Sequence, residues 1–455
     1  MQALNKKTIE DIHPSGIRVL VRCDFNVPIS DGKITNDKRI VESLPTIKYL
    51  LEQNAKIILC SHLGRPDGEF NPKYSLAVIA ERLSKLLGKP VIMSKDVIGE
   101  DAQAKAAALK DGEILLLENV RFHKEEEEND SEFSKALASL AEVYVNDAFG
   151  TAHRAHSSTA GVADYLPAVG GYLMAREIEI MGTALSNPRR PFTAILGGAK
   201  VSDKIGVIMN LLDKVDALII GGGMAYTFIK SQGGHIGSSL CENDKLDTAR
   251  QIVDKARENN VRLIIPIDHI IADDYSNNAN RRECFGACIP DDWQSLDIGP
   301  ETRNLFANII RESQTVIWNG PMGVFEFENF AAGTREVARA VAESGAISII
   351  GGGDSAAAIE KLGFAELVTH VSTGGGAALE FLEGIELPGV TCLRNKDVKS
   401  CSACSSERVK RGMLTGAAEM QAISPASGSS EIIAEFCADC GHIIGMSVAE
   451  PDNIK

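Results

Sequence analysis

One pattern of apolar and polar positions repeats along the chain. A short apolar run is followed by a polar or glycine-rich loop and then by a segment with helical spacing of apolar residues. Runs of this kind occupy residues 17–21, 56–59, 114–117, 143–145, 192–196, 217–220, 261–265, 316–318, 346–350 and 367–371. Short continuous apolar strands that alternate with helices are typical of parallel sheets buried on both faces. The pattern therefore predicts an α/β protein, in which ligands bind outside the carboxyl ends of the strands.

The loops that follow the apolar runs fall into two chemical sets. Loops of the first set carry the charged and polar residues Arg22, Asp24, Asn26, His62, Arg65, Arg121, His153, Arg154 and His156. Glycine-rich loops of the second set lack arginine and carry Lys200, Lys204 and Asp354. We therefore expect two doubly wound parallel-sheet domains: residues 1–170, which grip a compact anion, and residues 189–395, which cradle a nucleotide-like phosphate chain. Residues 171–188 have apolar positions at helical spacing and are expected to form a helix that joins them.

Charge and composition exclude several classes of partner. The 455 residues include 47 Lys and Arg against 62 Asp and Glu, which gives a formal net charge of −15. A field of that sign repels nucleic acid and anionic membranes, so any anion site must be a local basic patch. The chain has no apolar run of bilayer-spanning length, and its N-terminus lacks the apolar segment of a signal peptide. We therefore expect a cytoplasmic protein that binds neither nucleic acid nor membranes.

Arginines follow several separate strands of the first set. Their planar guanidinium groups suit carboxylate and phosphate, which they bind through two parallel hydrogen bonds. In "FGTAHRAHSS", the spacing of His153 and His156 taken alone suggests a metal pair, but the neighbouring arginines favour an anion site centred on Arg154. The two histidines would then flank a cationic patch that strengthens as they protonate. The acidic run "HKEEEEND", residues 123–130, is interpreted as a solvated face, as runs of like charge usually are.

Three glycine-rich loops offer backbone amides at predicted helix starts. The loop "GGAKVSDK" is either a phosphate cradle with two lysines one turn apart or only a tight strand-to-helix turn. The loop "GGGDSAA" fits the G-x-G-x-x-A variant of the dinucleotide fingerprint, but Asp354 opposes a pyrophosphate there unless a cation lies between. An aspartate that faces a nucleotide through Mg²⁺ fits better. The loop "STGGGAALEFLEG" exposes a third set of amides.

These loops resemble those of the phosphoglycerate kinase family in sequence and in order. The shared segments are "RCDFNVP", "SHLGRP", "ENVRFHKEE", "NDAFGTAHRAHSS", "GGAKVSDKI", "GGGMAYTF", "WNGPMGVFE", "GGGDSAAA" and "STGGGAALEFLEG". The resemblance covers about residues 4–393 and implies two α/β domains joined by a helix and a hinge. It also implies a monomer whose first domain binds 3-phosphoglycerate or 1,3-bisphosphoglycerate and whose second binds MgADP or MgATP. Phosphoryl transfer would be direct and in line, without a general base, because the attacking carboxylate is already deprotonated.

The resemblance further implies a role for individual residues. The residues that resemble the triose site are Asp24, Asn26, Arg39, His62, Arg65, Arg121 and Arg154, and the surrounding basic patch corresponds to Arg22, His153 and His156. On the nucleotide side the corresponding residues are Lys204, Ser295, Glu326, Gly352, Gly353, Asp354 and Ser355, with Asp354 directed at Mg²⁺. The groups implied around the moving phosphoryl group are Arg39, Lys200, Gly374, Gly375 and Gly376. Ser295 stands where the family usually has glycine.

Residues 396–455 lie beyond the resemblance and contain two C-x-x-C pairs. Their four cysteines are Cys401, Cys404, Cys437 and Cys440. Four thiolates could close a tetrahedral zinc site, although the segment between the pairs is longer than in zinc ribbons. A redox pair and an appendage without either role are the alternatives, and all three stay open.

Two other functions compete with phosphoryl transfer. A dinucleotide-dependent oxidoreductase rests on the Gly351 loop alone and leaves the arginines unexplained. A binding or regulatory protein would use the cysteine-containing segment as its interaction module. An ATP-forming assay with 1,3-bisphosphoglycerate separates the three functions.

Overall fold

The computed structural model describes residues 5–396 and four strands of the C-terminal segment. The chain divides into two compact units, Met1–Arg394 and Asn395–Lys455. The first unit contains two six-stranded sheets, one built from its first half and one from its second half.

The first half forms a parallel sheet with helices in its connections. Its strands are β1 Arg18–Arg22, β2 Ile29–Ser30, β3 Lys33–Ile34, β4 Lys56–Cys60, β5 Val91–Met93, β6 Ile114–Leu116, β7 Val143–Asn146 and β8 Ala168–Gly170. Its helices are α1 Lys38–Glu52, α2 Ala77–Leu87, α3 Glu100–Ala108, α4 Lys124–Glu128, α5 Ser131–Ala138 and α6 Tyr172–Ser186. The sheet order is β5-β6-β4-β1-β7-β8, all parallel, and β2 and β3 form a separate hairpin.

The second half repeats this architecture and adds small sheets. Its strands are β9 Phe192–Leu196, β10 Ala217–Ile220, β11 His235–Ile236, β12 Arg262–Ile264, β13 Asp268–Ala272, β14 Arg281–Phe285, β15 Cys288–Ile289, β16 Gln294–Ile298, β17 Thr315–Asn319, β18 Ile347–Gly351 and β19 His370–Val371. Its helices are α7 Ile205–Leu211, α8 Met224–Ser231, α9 Leu246–Glu258, α10 Pro300–Glu312, α11 Ala332–Glu343, α12 Gly353–Lys361, α13 Gly375–Glu383 and α14 Pro388–Thr391. The parallel sheet runs β12-β10-β9-β17-β18-β19, while β14, β13 and β16 pair antiparallel and β11 pairs with β15.

Short 3₁₀ helices punctuate the loops. They lie at Ile9–Asp11, Pro72–Tyr74, Val120–Phe122, Phe149–Thr151, Gly161–Asp164, Ser202–Lys204, Asn243–Lys245, Glu328–Phe330 and Ala365–Leu367. In the second unit, the strands are β20 Val409–Met413, β21 Glu419–Gln421, β22 Ser429–Cys437 and β23 Ile443–Val448. There β22 pairs antiparallel with each of the other three.

The predicted α/β architecture with two parallel sheets is confirmed. Each apolar run predicted as a strand overlaps a strand of one of the two parallel sheets, although only the last two residues of the run 367–371 are in a strand. The central strands β9 and β17 are buried at every position, which explains their unbroken apolar sequence. The prediction missed the edge strands β5 and β8 and the antiparallel sheet of β13, β14 and β16.

Helix α6 packs into a core that extends from one half into the other. Its buried positions Met174, Ile178 and Met181 follow the spacing of a single helix face. They belong to one apolar cluster with Tyr144 of the first half and Phe192 of the second. The chain then returns, because α14 hydrogen-bonds to the first half through Gly389 N and Ala152 O, 2.8 Å apart. Within the described residues, no helix combines the length and apolarity needed to cross a membrane.

Candidate active site

Strand order brings the polar loops of the first sheet together. Strands β6, β4, β1 and β7 are neighbours and run in parallel, so the loops that leave their carboxyl ends meet at one edge. Arg22 is the last residue of β1, and the loops hold the predicted residues Asp24, Asn26, His62, Arg65, Arg121, His153, Arg154 and His156. Arg39 joins them from the first turn of α1. Asn26 links two of the loops, because its Oδ1 accepts a hydrogen bond of 2.9 Å from Gly64 N.

His62 marks the centre of this arginine cluster. Its side chain is buried, and burial lowers its pKa well below the usual value. The charges of Arg22, Arg121, Arg39 and Arg154 lower the pKa further, in that order. The structure therefore brings four predicted arginines around a neutral imidazole. Arg65 is exposed.

Arg39 is held by an acidic partner in the described structure. Its Nη1 donates to both carboxylate oxygens of Asp24, at 3.1 and 2.9 Å, and to the carbonyl of Asn26 at 3.2 Å. The predicted triose-site residues Asp24 and Arg39 are thus partners of each other. The ion pair fixes the orientation of the guanidinium group.

His153 and His156 do not add charge at neutral pH. Burial, followed by the charges of Arg121 and Arg154, lowers the pKa of His156 to about 4. Burial and Arg154 also lower the pKa of His153, whose Nε2 accepts a hydrogen bond of 3.2 Å from Arg154 Nε. The expected strengthening by protonation is therefore confined to acidic pH, and the arginines supply the positive charge.

The acidic run is not a solvated face throughout, and that interpretation is wrong for one residue. Glu126 is fully buried, and its carboxylate accepts hydrogen bonds from Ser158 Oγ at 2.6 Å and Ser158 N at 2.8 Å. Its neighbour Glu127 pairs with Arg121 at 3.1 Å. Part of the run therefore faces the arginines rather than solvent, since Glu127 pairs with Arg121 and Glu126 reaches Arg22 through Ser158.

A cavity of about 390 Å³ lies at the carboxyl ends of the second sheet. It is lined by residues from four of the glycine-containing loops and by Glu326, Asp354 and Ser295, all predicted on the nucleotide side. The volume suits a small organic ligand. The Oγ atom of Ser295 bonds to Tyr226 OH at 2.5 Å, so the serine hydroxyl is engaged within the cavity wall.

The phosphate-binding elements predicted here lie beside that cavity. Lys204 Nζ donates a hydrogen bond to Asn319 Oδ1 at the end of β17. Burial lowers the pKa of Lys204, and the negative charges of Asp203 and Asp354 oppose that change. Gly352 has a φ of 85°, a conformation that favours glycine, and precedes α12. Gly353 and Lys200 are exposed, while Ser355 Oγ is engaged by Gly320 N.

The glycine-rich start of α13 lies against the first half of the chain. A Cβ atom added to Gly374 would lie 2.4 Å from Phe149 Cδ1, and one added to Gly376 would lie 3.4 Å from His153 Nε2. Gly375 has a φ of 36° and open space around its Cβ position. This helix start therefore packs closely against the loop that carries Arg154.

Comparison with known proteins decides the family. The family model described as phosphoglycerate kinase matches residues 9–385. A phosphoglycerate kinase of Clostridium kluyveri is 59% identical over 395 residues, covering 86% of this chain and 99% of the relative. The chain belongs to the phosphoglycerate kinase family.

Solved structures of the family agree in fold. The phosphoglycerate kinase of Coxiella burnetii superposes with a TM-score of 0.80 at 47% identity, covering 85% of this chain and 98% of the other. That of Pyrococcus horikoshii gives a TM-score of 0.73 at 36% identity, with the same coverage. Membership of a kinase family overturns the oxidoreductase interpretation of the Gly351 loop.

Several residues that contact the candidate site were missed by sequence reasoning. Glu177 on α6 is buried, bonds His370 Nε2 at 2.8 Å, and accepts hydrogen bonds from Thr373 N and Oγ1. It therefore ties α6 to the segment just before the glycines. Glu126 was hidden within a run of like charges. Asn319, which bonds Lys204, and Tyr226, which bonds Ser295, lie on elements distant in sequence from their partners. Glu177 stands on the apolar face of α6 with Met174, Ile178 and Met181, and a carboxylate at such a position is a signal that could have indicated it.

Metal sites remain predictions. Within the described parts of the chain, no group of three or more His, Cys, Asp or Glu side chains is arranged to hold a metal ion. Asp354 as a Mg²⁺ partner does not require such a group, since Mg²⁺ is usually held by one or two carboxylates together with waters and nucleotide phosphates. The zinc prediction falls outside the described residues for Cys401, Cys404 and Cys440, and for the side chain of Cys437.

Proposed function

We propose that this chain catalyses reversible phosphoryl transfer from 1,3-bisphosphoglycerate to ADP, giving 3-phosphoglycerate and ATP. The observation that carries the proposal is the close packing of the start of α13 against the arginine-bearing half, where Cβ atoms placed on Gly374 and Gly376 would lie 2.4 Å from Phe149 and 3.4 Å from His153. A nucleotide-binding half whose helix start packs against the anion-binding half suits a direct transfer between two bound substrates.

The proposal assigns the two halves to two substrates. Residues 1–170 would bind the triose phosphate through the arginine cluster, and residues 189–395 would bind the nucleotide in the cavity beside Lys204. Helix 171–188 would couple them, as the bonds of Glu177 to His370 and Thr373 suggest. Closure about this helix would exclude water from the transfer.

The arrangement suits charge stabilisation rather than proton transfer. His62 and His156 are held neutral, and the acceptor is a carboxylate that needs no base. Arg39, Lys200 and the amides of Gly374, Gly375 and Gly376 would surround the charge that develops in transfer. Asp354 would hold the Mg²⁺ bound with the nucleotide, and the ion would neutralise phosphate charge. We also propose a cytoplasmic monomer, in keeping with the family resemblance.

A coupled assay of ATP formation from 1,3-bisphosphoglycerate and ADP tests the function. We expect activity in the purified chain and a kcat at least about 100-fold lower in Lys200→Ala, because one charge-stabilising group is lost. Nucleotide affinity should change far less, since Lys200 is exposed and does not line the cavity.

The matched control is Lys85→Ala. This variant removes an exposed lysine of α2, a helix that contains no proposed site residue. A wild-type chain without transfer activity would refute the proposal. A Lys200→Ala variant that retains kcat would refute the role of that residue alone.

A further inference from the structure

A buried chain of polar contacts runs from the acidic helix α4 to His62. Glu126 accepts from Ser158 Oγ at 2.6 Å, and Ser158 Oγ accepts from Arg22 Nε at 2.8 Å. Arg22 Nη2 lies 3.3 Å from His62 Nδ1. Arg22 is 1% exposed, Ser158 and Glu126 are 0% exposed, and His62 is 4% exposed, so water does not compete with these contacts.

The contacts determine which nitrogen of His62 carries the proton. A guanidinium group has only donors and no acceptor. Arg22 Nη2 must therefore donate to His62 Nδ1, which is then the unprotonated nitrogen. Because the imidazole is neutral among four arginines, its proton resides on Nε2. The ring can thus offer one N–H donor to an anion in the cluster.

We propose that Glu126 and Ser158 are positioning residues that hold Arg22 and thereby fix His62 as a neutral Nε2–H donor to an anionic oxygen of the triose phosphate. This inference rests on the proposed function for the identity of the anion. Neither residue touches the substrate: Glu126 fixes Ser158, Ser158 fixes Arg22 Nε, and Arg22 fixes the ring.

Burial explains why the arrangement depends on each member. Arg22 Nη1 is also bonded to the carbonyl of Cys23, so the guanidinium group is held on three sides. Without the Ser158 hydroxyl, Arg22 Nε and the Glu126 carboxylate would both lose a buried partner. An unsatisfied buried charged group is costly, so Arg22 would shift toward another acceptor and release His62.

The first test is the tautomer of His62 in the full chain at pH 7. Histidine labelled with ¹⁵N allows each of the nine imidazoles to be read by its ring-nitrogen shifts, and a His62→Gln spectrum identifies the signal. We expect an unprotonated Nδ1 and a protonated Nε2 in the wild type. Ser158→Ala should give a mixture of tautomers, and Ser158→Thr should restore the single form because it keeps the hydroxyl.

The second test separates positioning from general stability. In Ser158→Ala and Glu126→Gln, the KM for 3-phosphoglycerate should rise roughly tenfold, as expected for a weakened bond to a charged group. The KM for ATP should change little. The matched controls are Ser157→Ala, a buried neighbour bonded to Glu125 O and not to Arg22, and Glu128→Gln, an exposed carboxylate on the same helix. Both controls should resemble the wild type.

The outcomes are distinguishable. A protonated Nδ1 in wild-type His62, or equal effects of Ser158→Ala and Ser157→Ala on the KM for 3-phosphoglycerate, would overturn the inference. If Glu126→Gln fails to fold, the Ser158→Ala and Ser158→Thr pair still decides. If the wild type transfers no phosphoryl group, the proposed function fails, while the His62 tautomer and calorimetry with 3-phosphoglycerate still test the positioning residues.

Discussion

The close approach of Gly374 to Phe149 leads to a sharp prediction for Gly374→Ala. The glycine has φ −90° and ψ −1°, which alanine adopts without strain. The obstruction is therefore the Phe149 ring alone, whose Cδ1 and Cε1 would lie 2.4 and 2.5 Å from the new methyl group. Phe149 is fully buried and packs edge-on against Phe381 with ring centroids 6.3 Å apart, so it has little room to move.

The expected magnitude follows from the overlap. Carbon atoms in contact lie about 3.5–4.0 Å apart, so the loop or the ring must retreat by about 1 Å. Overpacking of this kind costs about 1–3 kcal/mol. If that cost opposes the approach of the glycine amides to the arginine-bearing half, kcat should fall by roughly 5- to 150-fold. The Kd for ADP should stay near that of the wild type, because Gly374 does not line the nucleotide cavity.

A double-mutant cycle identifies the cause of the loss. ATP formation is measured for Gly374→Ala, Phe149→Leu and the pair, with ADP affinity taken from calorimetry. Since leucine is shorter than phenylalanine, the alanine should cost less in the Phe149→Leu background. Wild-type kcat in Gly374→Ala, or a loss of the same size in both backgrounds, would refute the reasoning.

Two further predictions concern Arg154 and Asp147. Arg154→Ala should weaken 3-phosphoglycerate binding, because Arg154 is one of the charges around His62, and unchanged affinity by calorimetry would contradict this. Burial raises the pKa of Asp147 to about 7 in the folded protein. Between about pH 4 and pH 7 this carboxyl therefore ionises in the unfolded chain but stays protonated in the folded protein, so the free energy of unfolding of the wild type falls as pH rises through that range. Asp147→Asn can still accept from Leu173 N at the start of α6, and its stability relative to wild type should rise by about 3 kcal/mol between pH 5 and pH 8. The measurement is the free energy of unfolding in urea as a function of pH. If the curves of the wild type and Asp147→Asn run parallel, this effect is absent.

Sequence reasoning succeeded where the signal was local. Strands such as β9 and β17 are buried on both faces, so an unbroken apolar run identifies each of them without knowledge of its neighbours. Strand β8 reads Ala-Val-Gly and contains a single large apolar residue, so no apolar run marks it. Strand β5 is only half-buried at each of its three positions, and its short run was missed. Strand β14 is largely exposed and lacks the alternation of a half-buried strand, so it could not be separated from a loop.

The site was predictable in residue type but not in electrostatics. Polar residues just after buried strands indicated the loops that meet at the sheet edge. The protonation state of His156 could not be inferred, because it depends on burial and on arginines that arrive from other strands. The position of Glu126 was hidden for the same reason, since "KEEEE" gives no local sign that one of its carboxylates turns inward.

The two carboxylates that accompany the arginines, Asp24 and Glu126, differ in burial. The difference explains how the positive charges of the cluster are balanced before an anion binds. Asp24 engages only Nη1 of Arg39, whose side chain is 38% exposed. Among the described residues, no acceptor occupies Nε or Nη2 of Arg39, so those donors are free to meet a substrate. Asp24 thus orients Arg39 without consuming it. Glu126 is fully buried and cannot reach a substrate. Burial raises the pKa of its carboxyl, but the charge of Arg22 and the hydrogen bonds from Ser158 oppose that rise, so Glu126 serves as a buried counter-ion of Arg22. Because this counter-ion need not be exchanged when substrate enters or leaves, part of the cluster's repulsion is relieved throughout the catalytic cycle.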